Sequence, residues 1–260
     1  MTKRKPPAKQ SSKTSRGSHS ASASHDIIYG FHAVKAALGN PKRQLKQLYA
    51  SQNAAASLKN DGLDVPVQLV SASELARYAP EDAVHQGLVG LFSPLALVDL
   101  ENLTPDGGPV ILLDQITDPH NIGAIMRSAA VFGAQAVITA DHHSPALTGT
   151  LAKAASGALE HLPLITVKNI ARALEQLKKL GFFVIGLAEG GTNMTDLVEA
   201  NTGYVLVMGA EGRGMRRLTR EHCDFIAEIP CSSRDGRFTT LNVSNAAAVA
   251  LFIAQQARSA

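Results

Sequence analysis

From about Ile27 onward, short apolar runs alternate with stretches of helical spacing, and the alternation changes in strength at Pro109. Before that point, Gly30–Leu38 predicts a short helix and Gln47–Ala50 a strand. A helix at Asn53–Lys59, a strand at Val65–Val70, a helix at Ala72–Tyr78 and a strand at Gly87–Phe92 follow. Such a unit is small but long enough to fold as an α/β domain. Ala96–Gly108, with Pro105 and the pair Gly107-Gly108, reads as a linker. From Pro109 the signal strengthens. Val110–Leu113 is a continuous apolar run, the mark of a strand buried on both faces. Asn121–Phe132 predicts a helix, Ala136–Ile138 a strand, Gly149–Ala158 a helix, and Leu162–Val167 a strand. Ile170–Leu180 is a long helix, and strands follow at Phe182–Leu187, Tyr204–Met208 and Phe225–Ile229. The chain closes with Thr240–Asn245 running into a helix, Ala246–Ala254, that is apolar on every side and so belongs in a core.

Alternating strands and helices predict a mostly parallel sheet with helices on both faces. The organisation is then a tail (1–25), a small α/β domain (26–95), a linker (96–108) and a larger α/β domain (109–260). No internal repeat is evident.

Charge changes the picture of the tail. Six of the 25 Lys and Arg lie within residues 1–25 with no acid, so the remaining 19 face 22 acids and the body is slightly negative. The tail is rich in Ser and Pro and poor in apolar side chains, which predicts disorder. It lacks the apolar face of a targeting helix and has no signal-peptide core. It reads either as a solvated tail or as an arm attracted to nucleic acid through counterion release. Cys223 and Cys231 form no disulfide framework, metal spacing or Cys–His pair, so reduced cytoplasmic thiols are expected. No apolar run is long enough to span a bilayer. Asp141-His142-His143 resembles a metal cluster, but adjacent histidines diverge and no third ligand is evident, so a surface turn and no metal are expected. His32 and His85 read as ordinary residues of the small domain.

Three polar stretches follow apolar strands, where ligands sit in parallel sheets. Asp114–Arg127 enters a helix that Asn121 is placed to cap, and Arg127 follows in an apolar setting that requires an acidic or phosphate partner. Gly209-Ala210-Glu211-Gly212-Arg213-Gly214 permits close backbone approach. Its glycine spacing is not the dinucleotide fingerprint, and no Gly-Lys-Ser/Thr follows for a P-loop. Arg213, Arg216 and Arg217 form a basic cluster suited to phosphate. The third stretch is Thr240–Asn245, where Asn242, Ser244 or Asn245 is placed to cap the closing helix, or to meet a ligand as well.

In that order, Asp118–Arg127, Met208–Gly214 and Thr240–Ser244 resemble the three motifs of the SpoU family of RNA ribose 2′-O-methyltransferases, within the SPOUT superfamily. The similarity covers residues 109–257. Tyr29–Val34 and His85–Val89 are similar to the substrate-binding domain of the bacterial 23S rRNA guanosine enzymes, and Ser156–Pro163 to the same branch. The resemblance implies a deep trefoil knot in the carboxyl-terminal domain, S-adenosylmethionine as cofactor, an RNA-binding amino-terminal domain and a homodimer with sites near its interface. Carried over by motif, Gly209, Ile229 and Leu241 contact the cofactor. Asn121, Arg127, Glu211 and Asn242 form the catalytic group, with Glu211 holding Arg127 or the ribose, while Arg127, Arg213 and Thr240 meet the substrate. The implied substrate is a guanosine of 23S rRNA. The alternatives are a tRNA guanosine methyltransferase and a non-catalytic RNA-binding protein on the same scaffold. Thr240 stands where the family usually has Ser, Asn245 where an apolar residue is common, and Cys231–Thr239 is a few residues longer than usual.

Overall fold

Sequence periodicity translates into two sheets joined by one shared apolar cluster, with a further cluster on the far face of each. A computed structural model describes residues 25–80, 83–141, 149–200, 202–230 and 241–259. The basic tail up to Ser24, the turn at His142-His143, Thr240 and the long loop Cys231–Thr239 lie outside the described residues.

The amino-terminal unit begins with a strand that periodicity does not announce, β1 (Asp26–Tyr29). It continues through α1 (Phe31–Gly39), β2 (Leu45–Ala50), α2 (Gln52–Asn60), β3 (Gln68–Leu69), α3 (Ala72–Leu75) and β4 (Leu88–Phe92). The sheet order is β1-β4-β2-β3, with only the β2–β3 pair parallel. The strand expected at Val65–Val70 shrinks to two exposed residues. Pro66 cannot donate to a ladder, and Val65 and Val67 instead pack irregularly against the core. The helix expected to reach Tyr78 stops at Leu75, although Ser71 and Glu74 form a full capping box at its start. Pro80 follows closely and disfavours continuation. Tyr78 turns back to stack on Tyr49 at 3.8 Å between ring centroids.

The carboxyl-terminal unit is a six-stranded sheet, all parallel. Its members are β5 (Val110–Asp114), β6 (Ala136–Ala140), β7 (Leu164–Val167), β8 (Phe183–Asn193), β9 (Tyr204–Gly209) and β10 (Phe225–Glu228), in the order β10-β8-β9-β5-β6-β7. Period-two alternation divides its side chains between two faces. Ile111, Leu113, Leu206 and Met208 pack on the side of α4 (Pro119–Val131), α5 (Gly149–Ala154) and α8 (Val243–Ser259). Val110, Leu112, Val205 and Val207 pack on the side of α6 (Ile170–Lys179), through its Ile170, Leu174 and Leu177. Helices on both faces are what a buried parallel sheet requires. A short α7 (Arg217–Glu221), not expected from periodicity, precedes β10. Helix α5 ends at Ala154 rather than Ala158, because the chain turns through left-handed Ser156 and Gly157, with φ of 52° and 89°.

Residues 96–108 are built into the larger unit. Leu103 is buried in its second core, Gln135 bonds Thr104 and Gly108, and Gly203 leaves room for Pro105, which an added β-carbon would meet at 2.4 Å. The two units also meet directly. One apolar cluster runs from Val34 and Leu48 to Leu151, Leu159 and α4. Beside it, Arg43 donates to Glu160 at 3.0 Å, to Asp26 at 2.5 Å and to the carbonyl of Ser93, and Asn40 donates to Glu160 at 2.8 Å. Arg43 and Glu160 are each only 3% exposed in their side chains. Burial disfavours the guanidinium charge, but its hydrogen bonds to Glu160 and Asp26 outweigh that and hold its pKa above the ordinary value.

Candidate active site

The site assembles where β5 and β9 end side by side, with Asp114 and Gly209 paired in register. In open α/β sheets this carboxyl edge is where ligands bind. Each strand delivers its polar loop there, and the first turn of α8 closes the group.

On the β5 side, Asp118 caps α4, accepting from the backbone N–H of His120 at 3.0 Å and of Asn121 at 3.3 Å. This corrects the expectation that Asn121 caps the helix. With Asp118 in that role, the amide of Asn121 is free to accept a bond from Asn242 Nδ2 at 3.3 Å.

On the β9 side, the chain folds back on itself. Ala210 and Gly214 form an isolated antiparallel bridge, the Gly214 N–H reaching the Ala210 carbonyl at 2.8 Å. A β-carbon on Gly209 would lie 2.3 Å from backbone atoms of Gly214 and Met215, so only glycine permits this close return. The loop is tethered at its exit. Asp114, fully buried, accepts from the backbone N–H and the Nε of Arg216, both at 2.8 Å. Arg217 is paired with Glu221. Of the three arginines expected to form a phosphate patch, Arg213 alone makes no ion pair among the described residues, and it is exposed.

Glu211 sits at the tip of that loop and accepts from Asn242 Nδ2 at 2.7 Å and from the Val243 N–H at 3.2 Å. Asn242 has two functions. Its Oδ1 accepts from the backbone N–H of Ser244 at 2.9 Å and from the Ser244 hydroxyl at 2.5 Å, so it caps α8. Its Nδ2 ties Asn121 and Glu211 together. Asn245 is exposed and takes no part in the cap. Three of the four expected catalytic residues therefore share one hydrogen-bonded cluster.

Arg127 does not join them. It is exposed on α4, its side chain has no hydrogen bond or ion pair among the described residues, and Glu211 bonds Asn242 and Val243 instead, both through Oε1. Nor is α8 buried all round. Val243, Ala247, Ala250, Leu251 and Ala254 are buried, whereas Phe252 is 47% exposed and meets Phe132 edge to face. On α4, Val131 is 73% exposed. The apolar surface expected inside the core is thus partly on the outside of α4 and α8.

Of the residues expected to hold a cofactor, Gly209 ends β9, Ile229 follows the end of β10, and Leu241 precedes α8 with half its surface exposed. Backbone groups at strand ends, with apolar Ile229 and Leu241, fit a nucleoside whose rings need flanking apolar surface and few charges. The exposed Glu211 carboxylate complements a cationic sulfonium. Cys223 adds no chemistry here: burial pushes its thiol up to about 11, so it is not a thiolate nucleophile. Among the described residues no group of His, Cys, Asp and Glu is arranged to hold a metal. No helix among them is long and apolar enough to cross a membrane.

Comparison with known proteins identifies the family. Residues 108–252 match the SpoU rRNA Methylase family, and residues 27–98 match the model for RNA 2′-O ribose methyltransferase substrate binding. The 23S rRNA (guanosine-2′-O-)-methyltransferase RlmB of Pseudomonas aeruginosa is 41% identical over 86% of this chain and 94% of its own. That of Pasteurella multocida is 42% identical over 86% and 95%. The fold matches the SpoU methyltransferase AviRb from Streptomyces viridochromogenes, solved with AdoMet, at a TM-score of 0.74 and 23% identity, covering 90% of each chain. Matched in both of its units and over most of its length, this chain belongs to the SpoU rRNA methylase family.

Proposed function

We propose that this chain transfers a methyl group from S-adenosylmethionine to a ribose 2′-hydroxyl of RNA, at a guanosine of 23S rRNA, in the cytoplasm. The observation that carries the reading is the Asn121–Asn242–Glu211 cluster at the carboxyl edge of the sheet. A purely RNA-binding surface does not call for an amide that ties a second amide to a carboxylate beside a turn that only glycine permits. The activity and RNA follow the relatives that match both units at about 40% identity. Residues 26–95 are read as the RNA-binding domain, 96–108 as the connection and 109–260 as the transferase. The reading includes the deep trefoil knot of the SPOUT fold, with the apolar helix α8 as the segment drawn through it and packed at the dimer interface.

When bound, S-adenosylmethionine supplies a methyl group already activated on sulfur, so the protein's work is orientation and removal of the hydroxyl proton. Gly209, Ile229 and Leu241 hold the cofactor at the strand ends. Asn242 and Glu211 orient the attacking ribose, with Asn121 fixing Asn242 and with Arg213 and Thr240 on the substrate side. As the 2′-oxygen bonds the methyl carbon, the carbon–sulfur pair stays with sulfur and the hydroxyl proton leaves to solvent or to the neighbouring phosphate. A guanidinium does not deprotonate in proteins. Arg127 is therefore read as a clamp on the target phosphate that stabilises the developing alkoxide. We read the exposed Val131 and Phe252 as half of a homodimer interface. Arg127, one turn before Val131, then stands at that interface.

The test is to map ribose methylation across 23S rRNA and tRNA in a strain lacking the gene, and to restore it with purified protein and S-adenosylmethionine. Loss and recovery at one 23S guanosine supports the reading. A tRNA position instead replaces the substrate, and no affinity for S-adenosylmethionine by calorimetry favours the binding module. Arg127→Lys keeps the charge and loses the planar fork, so turnover of bound RNA should fall about 100-fold. Near-normal turnover sinks the clamp.

A further inference from the structure

Three stretches singled out in the sequence take no part in methyl transfer as described: Tyr29–Val34, His85–Val89 and Ser156–Pro163. In the fold they meet. A cleft of about 190 Å³ between the start of α1, the turn before β4 and the end of α5 is lined by Gly30, His32, Ala33, Gln86, Lys153 and Ser156, drawing on all three. Its polar groups are an ammonium, an imidazole, an amide and a hydroxyl, and no carboxylate lines it.

The cleft is tightly constrained. Gln86 and Ser156 both hold φ at 52°, and they are two of the three non-glycine residues with positive φ among those described. Such conformations persist where surrounding structure enforces them, and they gather at ligand sites. Gln86 Oε1 accepts the Phe31 N–H at 3.0 Å, which leaves its NH2 as a donor. The stem of Lys153 lies against Gly30, where an added β-carbon would stand 3.4 Å from Gln86 Oε1 and 3.7 Å from Lys153 Cγ. Below it, the hydroxyls of Tyr29 and Thr150 bond across the two units at 2.9 Å. The ammonium of Lys153, a half-buried residue at the end of α5, has no hydrogen bond or ion pair among the described residues. Docking two domains does not require an unpaired ammonium in the seam. Apolar packing and the Arg43–Glu160 pair already provide that contact.

We propose that this cleft seats one phosphodiester of the substrate RNA, with Lys153 as its counter-charge and Gln86, His32 and Ser156 as hydrogen-bond donors. Phosphate contacts of this kind fix register and orientation without reading sequence. The placement suits that role. Helix α5 packs on α4 so closely that a β-carbon on Gly123 would meet Ala154 at 2.4 Å, and α4 carries Asn121 and Arg127. RNA held at the seam is thereby held in fixed relation to the reacting group.

The inference rests on the RNA methyltransferase reading, and its test separates the two. Binding of a 23S rRNA transcript is measured against salt for the full-length protein, for Lys153→Met, which keeps the stem, and for Lys153→Arg, which keeps the charge. Lys153→Met is expected to weaken RNA binding about three- to ten-fold at low salt and to flatten the log–log salt slope by about 0.7–0.9, the share of one phosphate. Lys153→Arg retains both, and all three proteins bind S-adenosylmethionine equally. Unchanged affinity and slope for Lys153→Met, or equal losses for Met and Arg, overturns the phosphate seat while wild-type methylation stands. A wild type that neither binds nor methylates rRNA overturns the functional reading and the seat with it.

Discussion

At the scale of single residues, Asn242 shows how one side chain caps a helix and ties the proposed site together at once. Its carbonyl oxygen caps α8 while its amide nitrogen gathers Glu211 and Asn121. Substitution can separate the two roles. Ser is also a good cap, so Asn242→Ser should melt within a few degrees of wild type, whereas Ala in its place would cost about 1 kcal/mol. Ser lacks the amide donor, so methyl transfer should fall about 100-fold under the same conditions. Parallel thermal melts and single-turnover methylation check this, and equal losses in both would reduce Asn242 to a cap. The pairing was half legible in the sequence. The polar run before an apolar helix announced a cap, but not which of Asn242, Ser244 and Asn245 supplied it. Asn121, read as a cap, lost that role to Asp118 three residues earlier, because two neighbouring cap-forming residues cannot be ranked by propensity.

Among elements, the decisive feature is the return of the chain after β9. Its apolar run was plain in the sequence and its glycines read as a tight turn, but the tether was not legible. Asp114 and Arg216 are 102 residues apart, and nothing local marks Asp114 as the buried acceptor of Arg216. Gly209 tests the turn most directly. A β-carbon there would meet backbone rather than a movable side chain, so the loop must open to admit it. Gly209→Ala should weaken S-adenosylmethionine at least ten-fold by calorimetry, while β9, buried from Tyr204 to Met208, keeps the thermal midpoint close to wild type. Unchanged cofactor affinity would mean the turn is free to relax. The same scale explains the misread elements. β3 is broken by Pro66, and α5 is cut short where Gly157 leaves room for Ala36 of α1, which an added β-carbon would meet at 2.5 Å. That contact belongs to another unit and leaves no trace in local periodicity.

For the whole molecule, the question is how the two units hold their relation to each other. Arg43 and Glu160 are buried partners, and removing Glu160 leaves Arg43 with Asp26 alone as its counter-charge and Asn40 without its carboxylate acceptor. Glu160→Ala should destabilise the protein by about 3 kcal/mol in denaturant titrations. An unchanged midpoint would show that water replaces the lost partner. The exposed Val131 and Phe252 carry the homodimer prediction: sedimentation should give twice the chain mass, and Phe252→Asp should shift it toward the monomer. A wild-type monomer at tens of micromolar would remove the dimer from the reading.

The sequence alone determined the order of most strands and helices, the parallel sheet buried on both faces, and the three loops at its carboxyl edge, because all of these rest on local periodicity and glycine chemistry. It also carried the family resemblance, through motifs that are contiguous in the chain. Tertiary structure decided which of those groups touch. It joined Asn121, Glu211 and Asn242, left Arg127 apart on the exposed face of α4, paired Arg216 with Asp114 and brought three unassigned motifs to one cleft around Lys153. Contacts between residues a hundred positions apart depend on how sheets and helices pack, and periodicity within one element carries no record of that packing.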